Sequence, residues 1–258
     1  MNKVLFIDVD GTLISFTSHK VPDSSIDALQ KARENGCEII IATGRAYTDL
    51  EDLKEIPYNA VIALNGSDCV LRDGTSIARR QIPLDDFRKA LALSEEYGFP
   101  IAVENDLGIF VNRRDPQVIA LAEHVNHPVP PVVDIEKMFV ESKCCQLCFY
   151  CDKETENEIM RQLPHLSASR WHPIFADINV KGVDKSTGMD IFVSYYGIDM
   201  SETVAFGDGG NDIPMLRKAG IGIAMGNASE TVKAAAGYVT DSVDDNGIYN
   251  ALKHLKVI

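Results

Sequence analysis

Four short apolar runs, each closed by glycine, acidic, amide or hydroxyl residues, constrain this chain more than any other feature. Val4-Leu5-Phe6-Ile7 leads into Asp8-Val9-Asp10-Gly11-Thr12, and Ile39-Ile40-Ile41-Ala42 into Thr43-Gly44-Arg45. Ala60-Val61-Ile62-Ala63-Leu64 leads into Asn65-Gly66, and Thr203-Val204-Ala205-Phe206 into Gly207-Asp208-Gly209-Gly210-Asn211-Asp212. A strand with one wet face would alternate polar and apolar residues, so an unbroken apolar run bounded by turn residues reads as a strand covered on both faces. Such strands form parallel sheets between layers of helix, and ligands bind beyond their carboxyl ends. The polar clusters fall at those ends. Carboxylates, a hydroxyl, amides and glycines drawn from distant stretches of sequence would then meet in one crevice, which argues for an enzyme.

The stretches between these runs supply the helices. Ser24 to Asn35 carries Ile26, Leu29 and Ala32 on one stripe and ends at Gly36, and with the strand Cys37–Ala42 it gives a β-α-β unit that crosses over right-handed. Tyr47 to Glu55 reads as a second helix, and Cys69 to Arg80 as a hairpin turning at Asp73-Gly74. The pattern then changes. A helix (Leu84–Tyr97), two strands (Pro100–Glu104, Gly108–Asn112), a helix (Pro116–Val125), a Pro-rich loop, a Cys-rich strand (Lys143–Cys151), a helix (Lys153–Leu163) and two strands (Leu166–Trp171, Phe175–Val180) suggest a separate α+β domain. From Asp184 alternation returns: helices at Ser186–Tyr196, Asp212–Ala219, Ser229–Ala236 and Gly247–Leu255, strands at Thr203–Phe206, Ile221–Met225 and Tyr238–Thr240. The expected architecture is α/β, a doubly wound Rossmann-like parallel-sheet core from residues 1–80 and 183–258, with an inserted α+β cap at 81–182.

With 258 residues the chain is long enough for both parts, and its 45% apolar and 24% charged content is ordinary for a soluble globular protein. A net charge of −13 disfavours nucleic acid and anionic membrane surfaces as partners. No targeting segment or membrane-length apolar run is visible, so a cytoplasmic location is expected, and nothing specifies an oligomer beyond a plausible monomer. Cys145, Cys148 and Cys151 have cluster-like spacing, but on a strand Cys145 and Cys148 point to opposite faces, so buried free thiols are expected. Gly220-x-Gly222-x-x-x-Gly226 lacks dinucleotide-site spacing and reads as a core strand and turn.

Asp8 and Asp10 follow their strand with one residue between them. Two carboxylates at a buried strand end, beside a phosphate, need charge neutralisation, and Mg2+ suits an oxygen-only set that Asp208 would complete. These residues match a known pattern. Phe6 to Leu13 resembles the first signature of the haloacid dehalogenase-like phosphatase superfamily, Ala42-Thr43-Gly44-Arg45 its second, Lys185 its third and Gly207 to Asp212 its fourth. With Asn65-Gly66 and Ala224-Met225-Gly226-Asn227-Ala228, the chain is similar to the Cof-type subfamily, whose members carry a type IIB cap. The likeness is carried by both chain ends; over the cap it rests only on length and element order.

That resemblance implies phosphoryl transfer through an aspartyl-phosphate. Asp8 would be the nucleophile and a metal ligand. Asp10 would be general acid then base, its carbonyl facing the metal. Thr43, Gly44 and Asn211 would hold the phosphoryl group, Lys185 would balance charge, Asp208 would bind Mg2+, and Asp212 and Asn65 would support. Arg45 either touches substrate or pairs with a nearby acid; its position in the sequence is compatible with both. In the cap, Glu104, Asn105, Arg113, Arg114, Trp171, His172 and Asp177 are candidate substrate contacts. The cap would restrict substrates to small phosphorylated metabolites, above all sugar phosphates. A phosphomutase of the phosphomannomutase type and a non-catalytic phospho-metabolite sensor are the competing expectations.

Overall fold

The computed structural model describes residues 3–258. The chain opens with β1 (Val4–Ile7), α1 (Asp23–Glu34), β2 (Glu38–Ala42), β3 (Ala60–Ala63), β4 (Asp68–Leu71) and β5 (Ser76–Arg79). It continues through α2 (Leu84–Tyr97), β6 (Ile101–Asn105), β7 (Gly108–Val111), α3 (Pro116–His124), α4 (Ile135–Glu141), β8 (Gln146–Phe149), α5 (Lys153–Met160), β9 (Leu166–His172) and β10 (Phe175–Val180). It closes with α6 (Lys185–Tyr196), β11 (Thr203–Gly207), α7 (Ile213–Lys218), β12 (Ile221–Ala224), α8 (Glu230–Lys233), β13 (Tyr238–Val239) and α9 (Gly247–His254).

Two compact units result, Met1–Ala78 with Asp184–Ile258, and Arg79–Val183. The first holds an eight-stranded sheet in the order β13-β12-β11-β1-β2-β3-β4-β5. Pairing is parallel from β13 to β3, and β4 runs antiparallel to β3. The unbroken apolar runs of β1, β3 and β11 are buried along their whole length, because helices cover both faces. On one face Val4, Phe6, Ile40, Ile62 and Ala205 pack with Met189 and Phe192 of α6 and Met215 and Leu216 of α7. Leu5, Ile7, Ile39 and Ile41, offset by one in the period-two alternation, are equally buried on the other side, and α1 packs against α9.

The strand order places the site. From β1 the chain steps outward through β2 and β3, and on its return it steps the opposite way through β11, β12 and β13. The reversal lies between β1 and β11, where the loops after the two strands diverge and leave a crevice at their carboxyl ends. Asp8 and Asp208 are the residues immediately beyond those ends.

The second unit is an antiparallel five-stranded sheet, ordered β7-β6-β8-β10-β9. Ile101, Val103, Leu147, Phe149 and Ile178 form one face, under Phe87, Phe139 and Ile159 of α2, α4 and α5. Ala102, Cys148, Tyr150 and Phe175 lie on the other, with Val118 and Leu121 of α3.

Local expectations fail at three places. Tyr47 to Glu55 is a series of turns with a single 3-10 turn at Glu51–Leu53. Leu50 and Leu53 within it and Ile56 just beyond are buried at intervals of three, which suits a 3-10 turn better than an α-helix. The seven-residue α4 is an addition, started by Asp134, whose carboxylate accepts from Lys137 N at 3.0 Å. The helix expected from Ser229 to Ala236 shrinks to Glu230–Lys233. Among the described residues no helix is long and apolar enough to cross a membrane.

Candidate active site

The loop after β1 turns back at once: the N–H groups of Leu13 and Ile14 both donate to Val9 O, at 2.9 and 2.8 Å. Gly11 sits at its tip with φ +88°, and a Cβ there would lie 2.2 Å from Asp208 Oδ2, so glycine alone lets the two loops touch. Asp208 is held from two sides. Thr12 Oγ1 donates to its Oδ1 at 3.1 Å, and Asn227 Nδ2 donates to its Oδ2 at 3.2 Å and to Gly11 O at 2.9 Å.

Lys185 is the first residue of α6, an unfavourable place for a cation because the helix dipole is positive there. Two carboxylates offset this. Fully buried, its Nζ donates to Asp8 Oδ1 at 2.6 Å and to Asp212 Oδ1 at 2.7 Å. The other oxygen of Asp212 accepts from the N–H groups of Asp208 at 3.0 Å and Gly209 at 2.8 Å. Asp184 caps α6, accepting from Thr187 N at 3.0 Å while Thr187 Oγ1 accepts from Asp184 N. Its carbonyl rests against Gly66, where a Cβ would come within 2.1 Å of it. Leu64, Asn65 and Gly66 all have positive φ (50°, 52° and 99°), a strained run for a leucine, which brings the chain past α6.

Carboxylate oxygens of Asp8, Asp208 and Asp212 lie within 4.8 Å of one another, so three acidic groups share one lysine. Burial, then Asp212, push the Asp8 carboxyl up to about 7 against the pull of Lys185. Burial, then Asp8 and Asp212, push Asp208 up to about 8. Burial by itself would lower Lys185, but Asp212 and Asp8 outweigh it and hold the ammonium well above its ordinary range. The surplus negative charge and oxygen-only donors fit a hard divalent cation. Asp212 is fully buried and accepts three hydrogen bonds, whereas Asp8 accepts one from Lys185 and Asp208 is half-buried with one donor on each oxygen, so Asp8 and Asp208 are the pair better able to hold it.

The structure thus brings Asp8, Lys185, Asp208 and Asp212 together. The Asp10 side chain, expected to serve as acid and base while only its backbone carbonyl faces the metal, is turned toward Arg45, whose Nε donates to Asp10 Oδ2 at 2.9 Å and whose Nη2 donates to Oδ1. Asp212 is the third member of the acidic group. Thr43 is buried after β2 and its Oγ1 accepts from Arg45 N at 3.1 Å, with Gly44 between them. Asn211 Nδ2 donates to Asn65 Oδ1 at 3.0 Å. Asn227 was given no role from sequence, although Gly226-Asn227 closes the apolar run Ile221–Met225 in the same way as the other clusters. In the second unit, Glu104 and Asp177 are buried and share Gln146 Nε2, at 2.8 and 3.3 Å. Asn105 Nδ2 donates to Ser142 Oγ at 3.0 Å. Arg113 pairs with Asp115 at 3.0 Å, Arg114 donates to Pro130 O at 3.2 Å, and Trp171 packs on Phe175 and His172.

Comparison with known proteins points the same way. A family model described as haloacid dehalogenase-like hydrolase matches residues 5–252. Among solved structures, BT1666 from Bacteroides thetaiotaomicron, a phosphatase of the haloalkanoate (HAD) enzyme superfamily, is 58% identical, with 100% of this chain and 96% of that one covered and a TM-score of 0.95. The HAD subclass IIB sugar phosphatase BT4131 is 37% identical over 100% of both chains, with a TM-score of 0.92. The 5-amino-6-(5-phospho-D-ribitylamino)uracil phosphatase YcsE of Bacillus subtilis (strain 168) is 26% identical over 98% of this chain and 95% of its own length.

Proposed function

The chain belongs to the haloacid dehalogenase-like hydrolases and is a phosphatase, and from that premise we propose that it hydrolyses small sugar phosphates with Mg2+, through a phosphoryl group carried on Asp8. The observation that carries this reading is the orientation of Asp8. Lys185 holds Oδ1 at 2.6 Å from the buried side, which leaves Oδ2 as the attacking atom. Mg2+, held by Asp8 and Asp208, would supply positive charge for the transferring oxygens. The Asp8 oxygen forms a bond to phosphorus as the ester P–O bond breaks, and the electron pair of that bond goes to the leaving oxygen. That oxygen takes a proton from the Asp10 carboxyl. A water then attacks phosphorus, gives its proton to Asp10, and releases phosphate and the free Asp8 carboxylate. Thr43, Gly44 and Asn211 line the loops that would hold the phosphoryl oxygens, and Asp212 keeps Lys185 in place.

The sugar-phosphate assignment is supported by the likeness to the sugar phosphatase BT4131, the closer by identity of the two relatives described above whose substrate is named. In this reading the second unit, Arg79–Val183, is the cap and selects among leaving groups.

The test is phosphate release from hexose, pentose, nucleotide, pyridoxal and flavin phosphates, with Mg2+ or a chelator. Release from hexose phosphates should require Mg2+, and Asp8→Asn should lower it on the order of 10³-fold or more. Isomerisation of a sugar phosphate without phosphate release would make the chain a mutase, and undiminished turnover in Asp8→Asn would remove Asp8 from the nucleophile's role.

A further inference from the structure

Arg45 has two physically distinct uses open to it. Directly after Thr43-Gly44 it could reach the transferring phosphoryl group, or it could serve a neighbouring acid. Its surroundings decide between them. Its backbone is fixed at both ends, N–H to Thr43 Oγ1 at 3.1 Å and carbonyl to Leu64 N at 3.0 Å. The guanidinium meets Asp10 with Nε and Nη2, one nitrogen for each carboxylate oxygen, and Nη1 donates to Asp52 Oδ2 at 2.9 Å. The planar fork is therefore clamped between Asp10, after β1, and Asp52, in the turn before β3. All three of its nitrogens are engaged by these carboxylates. A two-point contact fixes both the plane and the rotamer of a carboxyl group, which a single ammonium contact does not do. The two acids of the β1 loop thus have separate cations: Lys185 holds Asp8 and Arg45 holds Asp10.

We infer that Arg45 is a positioning residue for Asp10: it sets the direction from which the Asp10 carboxyl meets the leaving oxygen, and it does not bind the phosphoryl group being transferred. Asp52 is the outer anchor of that arrangement. The inference rests on the phosphatase reading above and goes beyond it, because it divides the residues after β2 between two tasks. Thr43 and Gly44 serve the phosphoryl group, and Arg45 serves the proton.

The leaving group separates the two uses. An alkoxide needs a proton as its P–O bond breaks, whereas 4-nitrophenolate leaves as a stable anion and needs none. A positioning role for Arg45 predicts a loss that depends on the leaving group, and a phosphoryl-binding role predicts one that does not. The experiment measures kcat and KM for glucose 6-phosphate and for 4-nitrophenyl phosphate in wild type, Arg45→Ala, Arg45→Lys, Asp10→Asn and Arg45→Ala/Asp10→Asn, with folding checked by circular dichroism. Because water attack on phosphorylated Asp8 also uses Asp10 and is common to both esters, the readout is kcat/KM, which reports only the step that expels the leaving group. Arg45→Ala is expected to lower kcat/KM on the sugar ester about 100-fold and on the aryl ester by under about tenfold, the same bias that Asp10→Asn produces. Adding it to Asp10→Asn should cost the sugar ester nothing further, since both act on one proton transfer. Arg45→Lys, which keeps the charge without the fork, should show the same bias to a smaller degree, and it carries the test if the alanine variant does not fold. Equal losses in kcat/KM on both esters would overturn the inference and make Arg45 a phosphate ligand, and no loss on either would overturn it by leaving Arg45 without a part in the reaction. Wild type inactive on every ester tried would instead fell the phosphatase reading, and this inference with it.

Discussion

Two buried groups of acidic side chains sit in the two units, and they are built on opposite plans. Asp8, Asp208 and Asp212 lie beyond the ends of parallel strands, where loops bring backbone N–H groups, Thr12, Asn227 and Lys185 to them. Glu104, Cys148 and Asp177 lie within three neighbouring antiparallel strands, on one face of the sheet. In the second group Gln146 Nε2 bridges the two carboxylates, Asn179 Nδ2 donates to Gln146 Oε1 at 3.1 Å, and the Cys148 thiol donates to Glu104 at 3.7 Å. Burial, then Glu104 and Asp177, hold that thiol well above its ordinary range, in keeping with its role as a donor to Glu104. The first group is three carboxylates with a buried lysine bonded to two of them, whereas the second is two carboxylates threaded by the neutral donors Gln146 and Cys148.

The largest expected effect tests the role of that lysine. Lys185→Met leaves Asp8 and Asp212 facing each other without their cation, which should cost about 3–5 kcal/mol of stability and lower phosphate release on the order of 10³-fold. Denaturant titration and initial rates check both, and a variant as stable and active as wild type would show that the ammonium is not what holds the two carboxylates.

Charge surplus also predicts a pH dependence with a definite sign. Folded Asp8 and Asp208, at about 7 and about 8, lie above the ordinary carboxyl value of 3.8. Between those values the folded protein holds protons that the unfolded chain has released, so their contribution to stability falls as pH rises and is lost through about pH 7–8. In a chelator the melting temperature should drop between about pH 6 and pH 9, and Mg2+ should restore more at the upper end. Equal stabilisation by Mg2+ at both ends would break the link between the carboxyl cluster and the metal.

Gly66→Ala is the next smaller test. The new methyl would collide with the Asp184 carbonyl that starts α6, so Lys185 must shift. A stability loss of about 1–3 kcal/mol with a rate loss of up to about 100-fold is expected, and calorimetry beside kinetics measures both. Cys148→Ser should do least, since a hydroxyl donates to Glu104 as the thiol does. A change within about 1 kcal/mol and an unaltered Mg2+ response are expected, and loss of that response would place the cation in the second group after all.

Much of the active-site chemistry was legible because each strand of the first sheet carries its polar residues directly after its apolar run. Asp8, Thr43, Asn65 and Asp208 could be placed on strand ends by counting, and Lys185 by its likeness to a family motif. Partners could not be counted out in the same way. The motif assigned Asp10 to proton transfer without showing what holds its carboxyl, and it left Arg45 between two roles, because pairing across the loops after β1 and β2 depends on side-chain reach. Asn227, 216 positions from Gly11, binds that residue only because β12 returns beside β11. Tyr47 to Glu55 reads as a helix in sequence yet forms turns with one 3-10 turn, since an i, i+3 spacing is shared by both helix types. In the second unit the alternation of Gln146, Cys148 and Tyr150 with Leu147 and Phe149 separates the faces, yet it does not say that the polar face is buried.

By itself the sequence determined the parallel sheet and the strand ends that carry the acids, because burial on both faces and turn chemistry are local patterns written residue by residue; the family came from the likeness of four motifs to known signatures. The resemblance already gave Lys185 to Asp8 with Asp212 in support, whereas tertiary structure alone decided that Arg45 holds Asp10 and that Thr12 and Asn227 hold Asp208. Those pairings join loops that are distant in the chain, and electrostatic attraction falls off over a few ångströms, so strand order and close approach at glycine fix them rather than composition.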